Sequence, residues 1–149
     1  MMRDRVKIFF RIEQDDDGYP GVGSESVWAQ RASVGGLFSI DNIPFFATDA
    51  NFGDLVSVDE NDGVLWFRGV VHEAPCSLMR VVFFDADEKD RIYRALMDAG
   101  CRAEYWDERK LLAVSVPNET VSRVEALLDR EVENGVLDYE EPILRGAGD

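Results

Sequence analysis

The stretch Glu13-Gln14-Asp15-Asp16-Asp17-Gly18 sets four carboxylates within five residues and follows them with a glycine. That is the order in which a calcium loop presents its first ligands. In an EF-hand register Glu13, Asp15 and Asp17 take the first, third and fifth positions and Gly18 the sixth. The closing bidentate glutamate would then fall at Ser24, and the flanking residues alternate as strands do rather than repeat as helices do. The stretch is therefore expected to be a turn between strands, with Asp17-Gly18 making the hairpin and the other acids forming a solvated cap.

Other chemistry-bearing residues are few. His72 is the single histidine, so neither a Ser/His/Asp triad nor a multi-histidine metal site can be assembled without it. Its place at the end of an apolar run suits a partly exposed structural residue. Cys76 and Cys101 lack metal-ligand spacing and point to a reduced compartment, with Cys101 expected as a buried edge-strand thiol. Thirty Asp and Glu residues supply acid pairs at any spacing by chance. Glu25, in "SESVWA" three residues before Trp28, is the more informative acid. If Trp28 is a core tryptophan, Glu25 is either buried and perturbed in a pocket or turned to solvent on the opposite face; the alternation favours solvent. In "DNIPFFATDANFGDL" one of Phe45 and Phe46 buries while its neighbour serves packing between the two halves or a partner. Glu25, Trp28, Phe45 and Phe46 together make the candidate pocket. No glycine-rich phosphate loop, CxxC or nucleophile elbow occurs, so no cofactor and no metal are expected.

The elements that would position these residues fall into two sets. Up to about Pro75 the chain reads as all-β. "RVKIFFRIE", "VGSESVWAQ", "GLFSI", "GDLVSVD" and "VLWFRGVVH" are five short strands, and Asp62-Gly63 is a hairpin signal between the last two. A small antiparallel meander or partly open barrel follows. From residue 76 onward, "LMRVVFFD" is a continuous apolar run of the kind buried on both faces. A helix follows with Ile92, Ala95, Leu96 and Ala99 on one stripe, Asp85 and Glu88 at capping-box spacing and Gly100 as its stop. "CRAEYW" and "LLAVSVP" flank the turn 107–110. Pro117-Asn118-Glu119 opens a second helix with the stripe Val121, Val124, Leu128 and Val132, closed by Asn134-Gly135, and "VLDYEE" is a last strand. The order β-α-β-β-α-β is that of ferredoxin-like domains, and the two most apolar runs fall on the first and third strands, which that topology makes central. The expected fold class is α+β, with a β-rich half (residues 1–75) packed on a ferredoxin-like half (76–149).

"FFRIEQDDDGYPGVGSESVWA", "LFSIDNIPFFA", "FGDLVSV", "GCRAEYWDERKLLAVSVP" and "LDYEE" resemble the bacterial domain-of-unknown-function 4265 family over most of the chain. The resemblance implies a bacterial, cytoplasmic, single-chain protein of about this length. It carries over no catalytic or binding residue.

Composition bounds the partners. The chain has 149 residues, 46% hydrophobic and 31% charged, with net charge −14. That is enough for one ordinary domain or two very small ones, and it should fold. The acidity argues against nucleic acid and against anionic membrane surfaces, and favours fast, steered association with a basic protein. There is no leader-like start and no apolar run of membrane-spanning length. The function expected is a non-enzymatic protein-binding module, such as an immunity protein neutralising a basic bacterial toxin. The contacts would be Asp15, Asp16 and Asp17, the loop Asp59, Glu60 and Asp62, and Glu140 and Glu141 on the last strand. The alternatives are a small-molecule sensor using the loops 85–88 and 117–119, and a carboxylate enzyme built around Glu25.

Overall fold

The computed structural model describes residues 5–18, 23–33 and 35–145. The fold is α+β, and the chain divides into two compact units, Met1–Ala74 and Pro75–Asp149.

In the first unit β1 (Arg5–Arg11), β2 (Ser24–Arg31), β3 (Leu37–Ile40), β4 (Leu55–Asn61) and β5 (Val64–His72) form a closed barrel in that order. Sequential strands pair antiparallel, so with an odd number the first and last must run parallel. They close the barrel through Ile8↔Leu65 and Phe9↔Trp66. Alternation decides the interior: Ile8 and Phe10 from β1, Val27 and Ala29 from β2, Phe38 and Ile40 from β3 and Val56 from β4 are buried. The rings of Phe10 and Phe67 stack at 4.6 Å. Trp28 therefore lies on the outward side of β2 and is 38% exposed; it is not the core tryptophan its surroundings suggested.

The two hairpins differ. Between β4 and β5 the pair Asn61↔Val64 is closed by Asp62 (φ 52°) and Gly63 (φ 81°), a two-residue turn whose left-handed residues match the twist of the flanking strands. Between β1 and β2 the expected Asp-Gly hairpin is not made. The strands end at Arg11↔Ser24, the Ile12 N–H still donates to the Gly23 carbonyl at 3.0 Å, and Asp17-Gly18 lie well beyond that last pair. The acidic part of the connection is a four-residue turn closed by the Gly18 N–H donating to the Asp15 carbonyl at 2.9 Å. Tyr19 and Pro20 lie outside the described residues.

In the second unit β6 (Cys76–Phe83), α1 (Lys89–Asp98), β7 (Arg102–Trp106), β8 (Leu111–Pro117), α2 (Val121–Glu133) and β9 (Leu137–Ile143) give an antiparallel sheet ordered β7-β8-β6-β9. This is the ferredoxin-like arrangement, with the apolar β6 and β8 central. Met79, Val81, Leu112 and Val114 pack against Ile92 and Leu96 of α1 and Val124 and Leu128 of α2. Two local features differ from the sequence pattern. The Asp85 side chain accepts the Asp87 N–H at 3.1 Å, whereas Glu88 turns to Arg91, so no reciprocal capping box forms. On α2 the buried stripe continues from Leu128 to Glu131, 6% exposed, while Val132 is 38% exposed. Steps of three and four are equivalent on a helix face. The choice is decided by Arg91 of α1, whose guanidinium makes two 2.9 Å bonds to the Glu131 carboxylate. Those bonds hold the Glu131 pKa below its ordinary value against the opposing effect of burial.

Gly63 has open space around its Cα, so replacing it tests backbone conformation alone. Gly63→Ala is expected to destabilise the barrel by about 1 kcal/mol, the cost of a left-handed non-glycine residue. Urea unfolding followed by tryptophan fluorescence reads this as a lower midpoint with unchanged slope.

Candidate functional site

The densest polar construction in the barrel lies where β2 meets the segment 41–54, which has no regular secondary structure yet buries Ile43, Ala47, Ala50 and Asn51. Backbone amides buried without a ladder need other acceptors. Glu25 supplies them: Oε2 accepts the Phe45 N–H at 2.6 Å, and Oε1 accepts those of Phe46 at 3.0 Å and Ala47 at 2.9 Å. Glu25 shares the parity of Val27 and Ala29, which places it on the inward side; the expectation that it faces solvent fails for this reason. Three successive amides converging on one carboxylate make an anion nest that the chain fills with its own side chain.

Asp54, fully buried, closes the other end of the segment. Its Oδ2 accepts the Asn51 N–H at 2.9 Å and its Oδ1 the Ala74 N–H at 2.8 Å. Asn42 Oδ1 accepts the Trp28 N–H at 2.7 Å, and Asn51 Oδ1 the Phe52 N–H at 2.7 Å. Sequence reasoning missed Asp54, Asn51 and Asn42. The available signal was a run of Asx residues spaced through an otherwise apolar loop, the residue types that bond neighbouring backbone.

The candidate pocket residues are thus brought together only in part. Glu25 meets the backbone of Phe45 and Phe46, both half-buried, while Trp28 lies on the other face of β2. A cavity of about 340 Å³ opens beside them, lined by Arg11, Ile12, Glu13, Phe46, Ala47, Thr48 and Asp49. Glu25 does not line it. With both oxygens engaged by three amides, the geometry gives Glu25 an anchoring role and no aim at a substrate.

The acidic contact residues separate. Asp15, Asp16 and Asp17 are exposed beyond the C-terminal end of β1, and Asp15 Oδ1 accepts the Asp17 N–H at 2.9 Å. Asp62 and Glu60 are exposed near the start of β5. Since β1 and β5 run parallel, the start of β5 lies at the opposite end of the barrel from the end of β1, so the two acidic groups do not form one patch. Asp59 lies 3.9 Å from Arg68. Glu140 is exposed on β9, but Glu141 is half-buried, held against Glu125 of α2, and one of its oxygens has no hydrogen-bond partner among the described residues.

His72 is exposed at the end of β5. Cys76 and Cys101 are free, and burial pushes the Cys101 thiol up to about 11, away from reactivity. Among the described residues no group of three or more His, Cys, Asp or Glu is placed to hold a metal, and no helix is long and apolar enough to cross a membrane. The loops expected for metabolite sensing make bonds within the chain: Asp85 accepts from Asp87, and the Asn118 N–H donates to the carbonyl of Pro75, ahead of β6, at 3.1 Å. A cavity of about 200 Å³ lies nearby, lined by Lys89, Asp90, Tyr93, Tyr105 and Leu112.

The fold and this site define an α+β protein that joins a five-stranded barrel unit to a ferredoxin-like unit, with the barrel's interior acids holding its own loop. The chain belongs to the family described as Domain of unknown function (DUF4265), whose model matches residues 25–139. No curated protein matches it. Among solved structures it is similar to a hypothetical protein from Neisseria gonorrhoeae, 23% identical, covering 97% of this chain and 96% of that one with a TM-score of 0.78. That likeness extends the fold to a second sequence.

Burial, then contact with Glu125 and the charge of Asp129, raises the Glu141 pKa to about 7. A carboxyl whose folded pKa lies above its unfolded value binds more protons folded than unfolded. Its contribution to stability is present below about pH 4.5 and lost as pH rises to about 7. Thermal unfolding should therefore show this contribution declining across that window. Glu141→Gln should remove the decline and raise the melting temperature at pH 8. Unchanged pH dependence in the variant would show that Glu141 is not the titrating group.

Proposed function

We propose that this protein is a non-enzymatic binding module whose partner is a basic protein. The observation that carries the reading is the turn at residues 15–18. Asp15, Asp16 and Asp17 are all exposed there, and the turn is held in shape by two 2.9 Å bonds of its own, Gly18 N–H to the Asp15 carbonyl and Asp17 N–H to Asp15 Oδ1. A pre-shaped cluster of like charge on a chain of net charge −14 accelerates encounter with a cation-rich surface more than it adds to final affinity. The finer form of the proposal is an immunity protein that neutralises a basic bacterial toxin in a reducing, cytoplasmic setting. Two free cysteines and a chain rich in acids suit that role. The engagement of Glu25 by three backbone amides supports a structural use of that carboxylate.

The test is capture of a partner from the native cell, its identification, and association kinetics. Changing Asp15, Asp16 and Asp17 together to Asn is expected to lower the association rate about tenfold at low salt and to flatten its salt dependence. Asp62→Asn, at the other end of the barrel, should leave the rate unchanged. An unaltered rate in the triple variant removes this turn from the interface, and failure to capture any basic protein removes the reading.

A further inference from the structure

The net charge hides a segregation. Outward positions on β1 are Arg5, Lys7, Phe9 and Arg11, because Ile8 and Phe10 point in. On β2 they are Ser24, Ser26, Trp28 and Gln30, and on β5 they include Trp66 and Arg68. No acid occupies any of these positions. Strand order places the three strands side by side, with Lys7 opposite Trp28 and Phe9 opposite both Ser26 and Trp66. Four cations and three aromatics therefore share one continuous face of an otherwise acidic molecule.

The cations and rings are interleaved. The Arg5 guanidinium carbon lies 4.7 Å and the Lys7 ammonium 5.0 Å from the centroid of the Trp28 ring. The Arg11 guanidinium lies 4.0 Å from that of Trp66, and Phe9 meets Trp66 at 5.8 Å. Asp41, 3.4 Å from Arg5, and Asp59, 3.9 Å from Arg68, make the ion pairs at the margins of this face, while Glu13 and Asp49 share a cavity with Arg11 and Glu60 shares one with Lys7 and Phe9. Lys7 and Arg11, between them, make no ion pair among the described residues. Both are exposed.

We propose that the outward face of β5, β1 and β2 binds single-stranded nucleic acid. Phosphates would meet Lys7, Arg11 and Arg5, and bases would stack on the indole and guanidinium planes between them. Unpaired bases are recognised by aromatic rings and arginine planes set in a cationic track. An acidic peptide would use the cations but not the three aromatics among them, and this favours the nucleic acid. The repulsion of the acids at residues 15–17 is screened beyond about 8 Å at physiological salt, whereas Glu60, which lines a cavity with Lys7 and Phe9, opposes binding at that edge of the face. The inference goes beyond the protein-partner reading and does not depend on it.

The experiment is fluorescence anisotropy of labelled oligo(dT) and oligo(U), each of about 15 nucleotides, titrated with the full chain from low to physiological salt. Binding is expected at low salt, with a log–log salt slope of about −2 for three phosphate contacts on a single strand. Trp28→Ala should weaken it about tenfold, and Lys7→Gln with Arg11→Gln should flatten the slope by about 1.4. Arg123→Gln, on α2, should change neither. Trp28 is well exposed, and near-ultraviolet circular dichroism confirms that each variant is folded. The charge pair supplies a second reading should Trp28→Ala fail to fold. No binding at low salt, or binding indifferent to both sets of substitutions, overturns the proposal. Displacement of the oligonucleotide by poly-glutamate at equal charge concentration would also overturn it, because the face would then be a dock for acidic protein.

Discussion

The barrel unit depends on one acceptor. The segment 41–54 runs without a partner strand yet buries Ile43, Ala47 and Ala50, and the Glu25 carboxylate takes up three of its amide protons in succession. Charge-assisted bonds of this kind are each worth about 1.5–3 kcal/mol, and leaving the buried donors unpaired costs a comparable amount. Asp54 and the two asparagines complete the anchoring, so the apolar residues of the segment can cover the barrel end. The same acids are thereby withdrawn from surface chemistry.

That withdrawal changes how the acidity of the chain is understood. A count over the whole sequence treats all carboxylates as surface charge. Here some hold backbone, Glu131 holds Arg91 between the two helices, and Glu141 is pressed against Glu125. The remaining acids lie in turns and loops, on β4, β7 and β9 and on the helices, and the outward faces of β1, β2 and β5 carry cations, aromatics and neutral polar residues. One molecule thus presents surfaces of opposite sign.

The fold was legible where burial imposes a period. β5 and β8 fall on the runs "VLWFRGVVH" and "LLAVSVP" because core contact selects every second residue or a whole run. Gly63, Gly100 and Gly135 mark turns because each adopts a positive φ. The site was much less legible. Parity correctly separated Glu25 from Trp28, but which of the two faced the interior depended on the segment 41–54, whose path has no period to read. An inward, half-buried glutamate was less expected than a buried tryptophan, and the three amides that compensate it account for its place. Residues 13–18 carried turn chemistry, but the length of the β1–β2 connection was set by register, and that is a property of the paired strands.

Glu25 is expected to hold the segment 41–54 in solution. Amide hydrogen exchange at Phe45, Phe46 and Ala47, compared between the native chain and Glu25→Ala, measures this directly. Slow exchange is expected at all three amides in the native protein. In the variant they should lose protection by at least tenfold, while amides in β8 of the other unit keep theirs. Equal protection in both proteins would contradict this role of Glu25, because the segment would then be held by something other than the carboxylate.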